Sequence, residues 1–393
     1  MNAPAKPIAV LWVAAGLALG AAVSLGLARF SYALLLPPMR ADLGWSYFTA
    51  GAMNTSNAAG YLVGALMMPR LLRSWGARRL LIWGCAATAV VLAGHGLVLH
   101  DGLLLTLRWL TGISSALVFV SGGLMAARLG AGRSNAGLVL GTYYGGTGAG
   151  IIAATLLVPP LAAQSVPHSW QLAWWGLAAA ALLATMASAW ATRQQAEPPP
   201  APVNPSQGFR WQRFAFGLAG YFMFGLGYIG YMTFTVTLLR EQGLASGVVN
   251  AYFCVLGAGV MASSWLWARL LQRHRGGLPM ALLNGLLAVA TVLPVLSTQL
   301  GVVFISGALF GCVFLSVVAS TTALVRHNLP AAAWSSGISA FTVVFAAGQI
   351  VGPSAVGWLA DSRGGLSIGL ACSAAVLALG SWLAWRQKPV ASD

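Results

Sequence analysis

Hydrophobic residues run through this chain in long stretches, interrupted by short charged blocks and by Pro/Gly breaks. A helix needs about 20 mostly apolar residues to cross the hydrocarbon core of a bilayer. The breaks divide the chain into twelve such segments, at residues 8–36, 46–69, 80–99, 102–127, 135–163, 170–192, 212–239, 246–268, 278–296, 300–325, 334–360 and 365–385. The pattern predicts an all-α membrane protein with twelve transmembrane helices. The first segment follows Lys6 and is much longer than the roughly 7–15-residue apolar core of a secretory signal, so it reads as an uncleaved spanning helix.

The polar blocks set the expected orientation. Of 21 Lys and Arg residues, Arg40, Arg240 and Arg363 fall in one set of loops and Arg29 and Arg108 inside spans. The rest, from Lys6 through the Arg70–Arg79 block to Lys388, lie on the opposite side. This asymmetry predicts both termini in the cytoplasm, as expected for a multi-pass protein of a bacterial inner membrane. The composition agrees, with 58% hydrophobic and 7% charged residues and a mean hydropathy of +0.79, values that exclude a water-soluble domain. The net charge of +15 sits in the topology blocks and argues against a nucleic-acid partner. Cys85, Cys254, Cys312 and Cys372 lie far apart inside apolar runs, and His95 and His100 lack a third ligand. Neither a disulfide framework, a metal nor another cofactor is expected. The expected partners are the lipid bilayer and a small molecule, with the chain itself a monomer.

One connection is long: "TRQQAEPPPAPVNPSQGFR", Thr192 to Arg210, whose prolines and polar residues suit a flexible linker. It predicts an N-terminal six-helix half at 1–192, a cytoplasmic linker at 193–210 and a C-terminal six-helix half at 211–393. A shift of 199 residues lays "GLARFSY" (Gly26 to Tyr32) over "GLGYIGY" (Gly225 to Tyr231). The same shift matches Gly44 with Gly243, Ala52 with Ala251, Gly60 with Gly259, and the "RLL" at Arg70 with that at Arg269. Two homologous halves are the reading of this repeat.

Twelve spans, a central linker and duplicated halves resemble the major facilitator superfamily over essentially the whole chain. "GALMMPRLLRSWGARR" keeps Gly64, Gly76, Arg78 and Arg79 of the superfamily's loop between its second and third helices, without that motif's acid. "RWLTGISSA" is similar to the Arg-x-x-x-Gly pattern of the fourth helix, at Arg108 and Gly112. "GTYYGGTGAG" is similar to the glycine-rich fifth-helix motif of exporters, without its proline, and "GQIVGPSAVG" keeps a Gly-Pro pair in the eleventh span. "GLARFSYALLLPPM" followed by "NTSNAAGYLVGAL" resembles the uncharacterised YbfB/YjiJ-like branch, which names no substrate. The "GGTGAG" stretch lies inside a span with no strand before it, so it reads as close helix packing rather than a nucleotide loop.

All six acids, Asp42, Asp101, Glu197, Glu241, Asp361 and Asp393, lie in loops, at span ends or in the linker and tail. Arg29 and Arg108 are thus the full charges well inside the spans, with no intramembrane carboxylate to pair with. Each costs about 2.5–3.5 kcal/mol on insertion scales and persists where it faces a cavity or a partner. Counting from Pro37 and Asp101 places both about 10–12 Å inside the same membrane face. The resemblance implies that the first and fourth helices both line a central cavity, so both arginines would face it and favour an anion between them. Arg108 has an equal claim as a structural residue bonded to helix carbonyls.

The repeat places Tyr228 opposite Arg29 and Tyr231 opposite Tyr32, which suggests a substrate charged at one end and ring-like or apolar at the other. Ordinary packing competes for both tyrosines. Asn54 and Asn57, three apart on one face, Tyr143, Tyr144, Thr342 and Gln349 complete the candidate substrate-binding set, with interhelical hydrogen bonding as their alternative use. No catalytic constellation is found, so the chain reads as no enzyme. The expected function is secondary transport of a small organic anion, a carboxylate or sulfonate, by alternating access, as symport with protons or as exchange. The alternative is export of drugs or other amphiphilic compounds.

Overall fold

Without water in the hydrocarbon core, backbone N–H and C=O groups must bond within their own segment, and the apolar runs accordingly form helices. The computed structural model describes residues 7–131, 133, 136–195, 209–330 and 333–390. Lys6, Glu197, Asp393 and most of the expected linker, at 196–208, lie outside them. The helices are α1 (Pro7–Ala21), α2 (Tyr32–Leu43), α3 (Tyr47–Trp75), α4 (Ala77–His95), α5 (Asp101–Gly130), α6 (Ala136–Ala162) and α7 (Trp170–Ala191). After the central segment come α8 (Ala215–Glu241), α9 (Ser246–Leu266), α10 (Ala268–Arg273), α11 (Leu278–Leu296), α12 (Leu300–Asn328), α13 (Trp334–Arg363) and α14 (Leu366–Trp385). No strand occurs among the described residues.

Two spans depart from the hydropathy reading. The first runs on past Pro37 and Pro38 to Leu43, and between α1 and α2 the backbone opens into a π-helix over Ala22–Phe30. Eleven helical stretches among the described residues are long and apolar enough to cross a membrane. The second span, α3, has 29 residues but is not among them. The polar turn Asn54-Thr55-Ser56-Asn57 in its N-terminal half lowers its apolarity below that of its neighbours.

The chain packs as two compact units, Met1–Leu43 with Ala59–Pro200, and Gly44–Ala58 with Ala201–Asp393. The N-terminal part of α3 therefore packs with the second unit. Gly51 and Gly357 allow backbone contact there, against Pro353 and Tyr47 respectively. Thr55 donates its hydroxyl to the Ile350 carbonyl at 2.7 Å, and Tyr47 donates to a Glu241 carboxylate oxygen at 2.6 Å. Asp361 accepts the backbone N–H groups of Tyr47 and Phe48 at 2.9 and 2.8 Å, capping the start of α3 with a negative charge where the helix dipole favours one.

Glycines set the remaining helix contacts. In the first unit, side chains on Gly146 and Gly150 of α6 would strike the Ala18 and Ala22 carbonyls, so α6 lies backbone to backbone against α1 and the π segment. In the second, Gly225 and Gly348 allow the same approach between α8 and α13. The 199-residue repeat is visible in the packing. Gly60 abuts the carbonyl of Trp109, and Gly259 that of Ala308; both members of the contact shift together. Gly44 and Gly243, paired by the same shift, turn the chain at φ of 65° and 84°, a conformation that L side chains adopt at a cost.

A methyl group at Gly150 would lie 2.5–2.9 Å from backbone atoms of Ala22 and Gly26, whereas one at Gly301 meets nothing within 4 Å. Gly150→Ala is expected to destabilise the protein by about 1–3 kcal/mol. Gly301→Ala should leave stability unchanged or slightly raised. Thermal unfolding of the two purified variants beside wild type checks the difference.

Candidate functional site

The π segment carries the first of the two intramembrane arginines. All nine residues of Ala22–Phe30 are buried, and the wide turn closes where the Ser31 N–H reaches back five residues to the Gly26 carbonyl at 3.1 Å. π turns inside α-helices are uncommon and concentrate at functional sites. Side chains serve the carbonyls of this segment. Ser31 donates its hydroxyl to the Leu27 carbonyl at 2.5 Å, and Arg108 donates from Nη1 to the Ala28 carbonyl at 2.9 Å. Two serines join the same elements reciprocally, Ser24 to the Ser115 carbonyl at 2.8 Å and Ser115 to the Ser24 carbonyl at 3.0 Å. Helix α5 thus fastens the π segment at two levels.

The two arginines are held differently. Arg108 is 1% exposed, and besides the Ala28 carbonyl it has the ring of Tyr32 beneath its guanidinium, 4.8 Å from carbon to centroid. A carbonyl dipole and an aromatic face both solvate a cation. Arg29 is 4% exposed, with its guanidinium carbon 5.6 Å from the centroid of the Tyr61 ring. Its Nη2 is buried and has no hydrogen-bond partner among the described residues. A buried guanidinium donor left open is costly, and an incoming oxyanion is the group that fits it best.

The other candidates in this unit form an aromatic group. Tyr143 donates its hydroxyl to the Phe119 carbonyl at 2.7 Å, and its ring lies 5.1 Å from that of Tyr144 and 5.8 Å from that of Phe119. Tyr61 and Phe119 were missed by the sequence reading. Tyr61 had a signal, since it follows Asn57 by four positions and shares its helix face; Phe119 had none. His95 is buried, stacked on Trp174 at 4.3 Å with Nδ1 on the Val91 carbonyl. Arg78, from the loop motif that lacks its acid, bonds the Thr192 and Ala189 carbonyls at the end of α7.

In the second unit Gln349 donates from Nε2 to the Tyr228 hydroxyl, and its Oε1 is buried with no partner among the described residues. Tyr228 belongs to a column of near-parallel rings, 4.7 Å from Phe224, 5.8 Å from Phe345 and 6.1 Å from Phe314. Tyr231 is engaged elsewhere. Its hydroxyl lies 2.6 Å from Ser306 Oγ and accepts from Tyr252 at 2.6 Å, while Ser306 donates to the Ala290 carbonyl and Phe310 stacks on the Tyr231 ring at 4.0 Å. Asn54 donates to Thr233 Oγ1 at 2.8 Å, an interhelical bond, and Asn57 is fully buried. Thr342 donates back to the Ile338 carbonyl of its own helix at 2.9 Å.

These environments predict opposite effects for the two arginines in the ligand-free protein. Arg108→Leu orphans the Ala28 carbonyl and should cost about 1–3 kcal/mol. Arg29→Leu removes a buried cation whose Nη2 has no hydrogen-bond partner among the described residues, and should leave stability unchanged or raise it. Thermal unfolding in detergent without added ligand measures both.

A comparison with curated proteins finds no match. Among solved structures the fold is close to that of the nucleoside transporter NupG, with a TM-score of 0.70, 15% identity and coverage of 97% of this chain and 100% of the other. It is equally close to an inward-facing, unoccupied bacterial homologue of the human lysosomal transporter Spinster, with a TM-score of 0.72, 13% identity and 97% of each chain covered. Identities this low show the fold alone. Residues 21–385 match the family described as uncharacterised MFS-type transporter YbfB. Over that match, with these helices and these relatives in fold, the chain is a multi-pass membrane transporter of the major facilitator superfamily, belongs to its YbfB-type family and is not an enzyme.

Proposed function

We propose that this transporter carries a small organic anion, a carboxylate or sulfonate, by alternating access, as a symporter or an exchanger. The observation that carries the reading is the open, buried Nη2 of Arg29 in a chain whose four described acids sit at helix ends, within three residues of a terminus. A bidentate oxyanion satisfies that donor and compensates the charge in one contact. Within the second unit, the near-parallel rings around Tyr228 and the open Gln349 Oε1 are of the kind that receive a ring-like or apolar group. In this reading the protein works as a monomer in a bacterial inner membrane with both termini cytoplasmic. Protons are the candidate coupling ion for symport, and exchange needs none.

Export of amphiphilic compounds is the second reading, favoured by the same ring column and by the glycine-rich α6. Exporters of cationic drugs generally rely on a titrating acid deep inside the spans, whereas the four described acids here sit at helix ends.

A thermal-shift screen of purified wild type and Arg29→Ala with carboxylates, sulfonates, phosphates, nucleosides and cationic dyes separates the readings. Carboxylates or sulfonates are expected to raise the melting temperature of wild type and to lose about tenfold or more in apparent affinity on Arg29→Ala. Stabilisation of both forms by cationic dyes, with no response to anions, would establish the second reading instead.

A further inference from the structure

We infer that the second unit binds the headgroup of an anionic phospholipid where the end of α14 meets the start of α8, with Arg386 holding the phosphate. This site is independent of what the protein transports.

The two helix ends are fixed to one another by the fold. Gly220 lets α8 lie against the Gly380 carbonyl of α14. Gln387, just past the end of α14 and 5% exposed, accepts the Gly217 N–H at 3.0 Å and donates from Nε2 to the Arg213 carbonyl at 3.1 Å. Its own carbonyl accepts the Gly277 N–H at 2.8 Å, which brings in the start of α11. One buried glutamine thus joins three helix termini, and the cations on either side of it, Arg386 and Lys388, are exposed.

Arg386 is seated on aromatic rings. Its guanidinium carbon lies 5.2 Å from the centroid of Trp382 and 5.6 Å from that of Phe216, one ring from each helix. The ring faces attract the cation but supply no oxygen to its N–H donors, and among the described residues no hydrogen bond or ion pair does so. A phosphate diester presents two oxygens to such an edge.

The charge around the site has one sign. Arg213 and Lys388 adjoin it through Gln387. The two acids described for this unit are remote: Glu241 ends α8, about 40 Å of helix away, and Asp361 lies beside it, since Tyr47 bonds both. The apolar surroundings then favour a lipid over a free phosphate. Phe216, Trp382 and Trp385 are exposed where the span ends, the level at which amphipathic rings meet headgroups. Leu379, seven residues before Arg386 and so on the same face of α14, is exposed about 10 Å deeper. An acyl chain lying along Leu379 would leave its phosphate at Arg386.

Dioctanoyl phosphatidylglycerol, dioctanoyl phosphatidylcholine and inorganic phosphate, each titrated into the purified full-length protein in detergent, test this by thermal shift, with bound lipid counted by native mass spectrometry. Wild type is expected to bind the anionic lipid at least about tenfold more tightly than the zwitterionic one and to show no shift with inorganic phosphate at the same concentrations. Arg386→Gln should abolish the preference. Arg386→Lys, which keeps the charge on the rings and so guards against loss of fold, should weaken it, because an ammonium lacks the two-pronged edge. Arg269→Gln, at an exposed arginine of the same unit, should leave it unchanged. Equal affinity for the two lipids, or a preference that survives intact in both Arg386 variants, would overturn the inference. An equal loss in Arg269→Gln would show a diffuse basic field in place of a site, and a matching response to inorganic phosphate would show a site without lipid selectivity; either would also overturn it.

Discussion

Backbone contact between helices at glycine seams is the constraint on which the first unit rests. Gly146 and Gly150 let α6 press directly on α1 and the π segment, and Gly60 and Gly64 let α3 press on α5. In lipid there is little hydrophobic gain in bringing apolar helices together, so close van der Waals fit and short interhelical hydrogen bonds must supply the association. The seams provide both. With α5 also drawn in, Ser24 and Ser115 exchange bonds, and the Ala28 carbonyl comes within reach of Arg108.

That arrangement governs the charge at the centre of the unit. An arginine inside a membrane must be solvated by the protein, by water or by a ligand. Arg108 is solvated by the protein, through a carbonyl and a ring. Arg29 is presented by the π segment with a buried donor unused. The difference between two residues of identical chemistry at a similar estimated depth lies entirely in what is packed around each one.

The acids take the complementary part. Asp42 accepts from His168 and Trp170 at 2.6 and 2.5 Å, Glu241 from Tyr47, and Asp361 caps α3. Three of the six acids in the chain are thus committed to joining helix ends. The second unit repeats the seam pattern with α8 on α13, but at the position equivalent to Arg29 it offers Tyr228, joined to Gln349 and stacked among phenylalanines.

The sequence by itself determined the helices, the membrane character and the family likeness, because a span of about 20 apolar residues has one stable form in lipid and its breaks are visible as charges, prolines and glycines. It also singled out Arg29 and Arg108, since a full charge in such a run stands out whatever the fold. Hydropathy alone missed the π segment, whose apolar run reads as ordinary helix, and it could not foresee that the start of α3 packs with the second unit. Only the tertiary structure decided which arginine is committed and which is open, that the Tyr231 hydroxyl is bonded to Ser306 and Tyr252, and that Tyr61 stands beside Arg29. These are matters of which carbonyl, hydroxyl or ring comes within about 3–6 Å of a given side chain, and such distances are set by contacts between residues far apart in the chain.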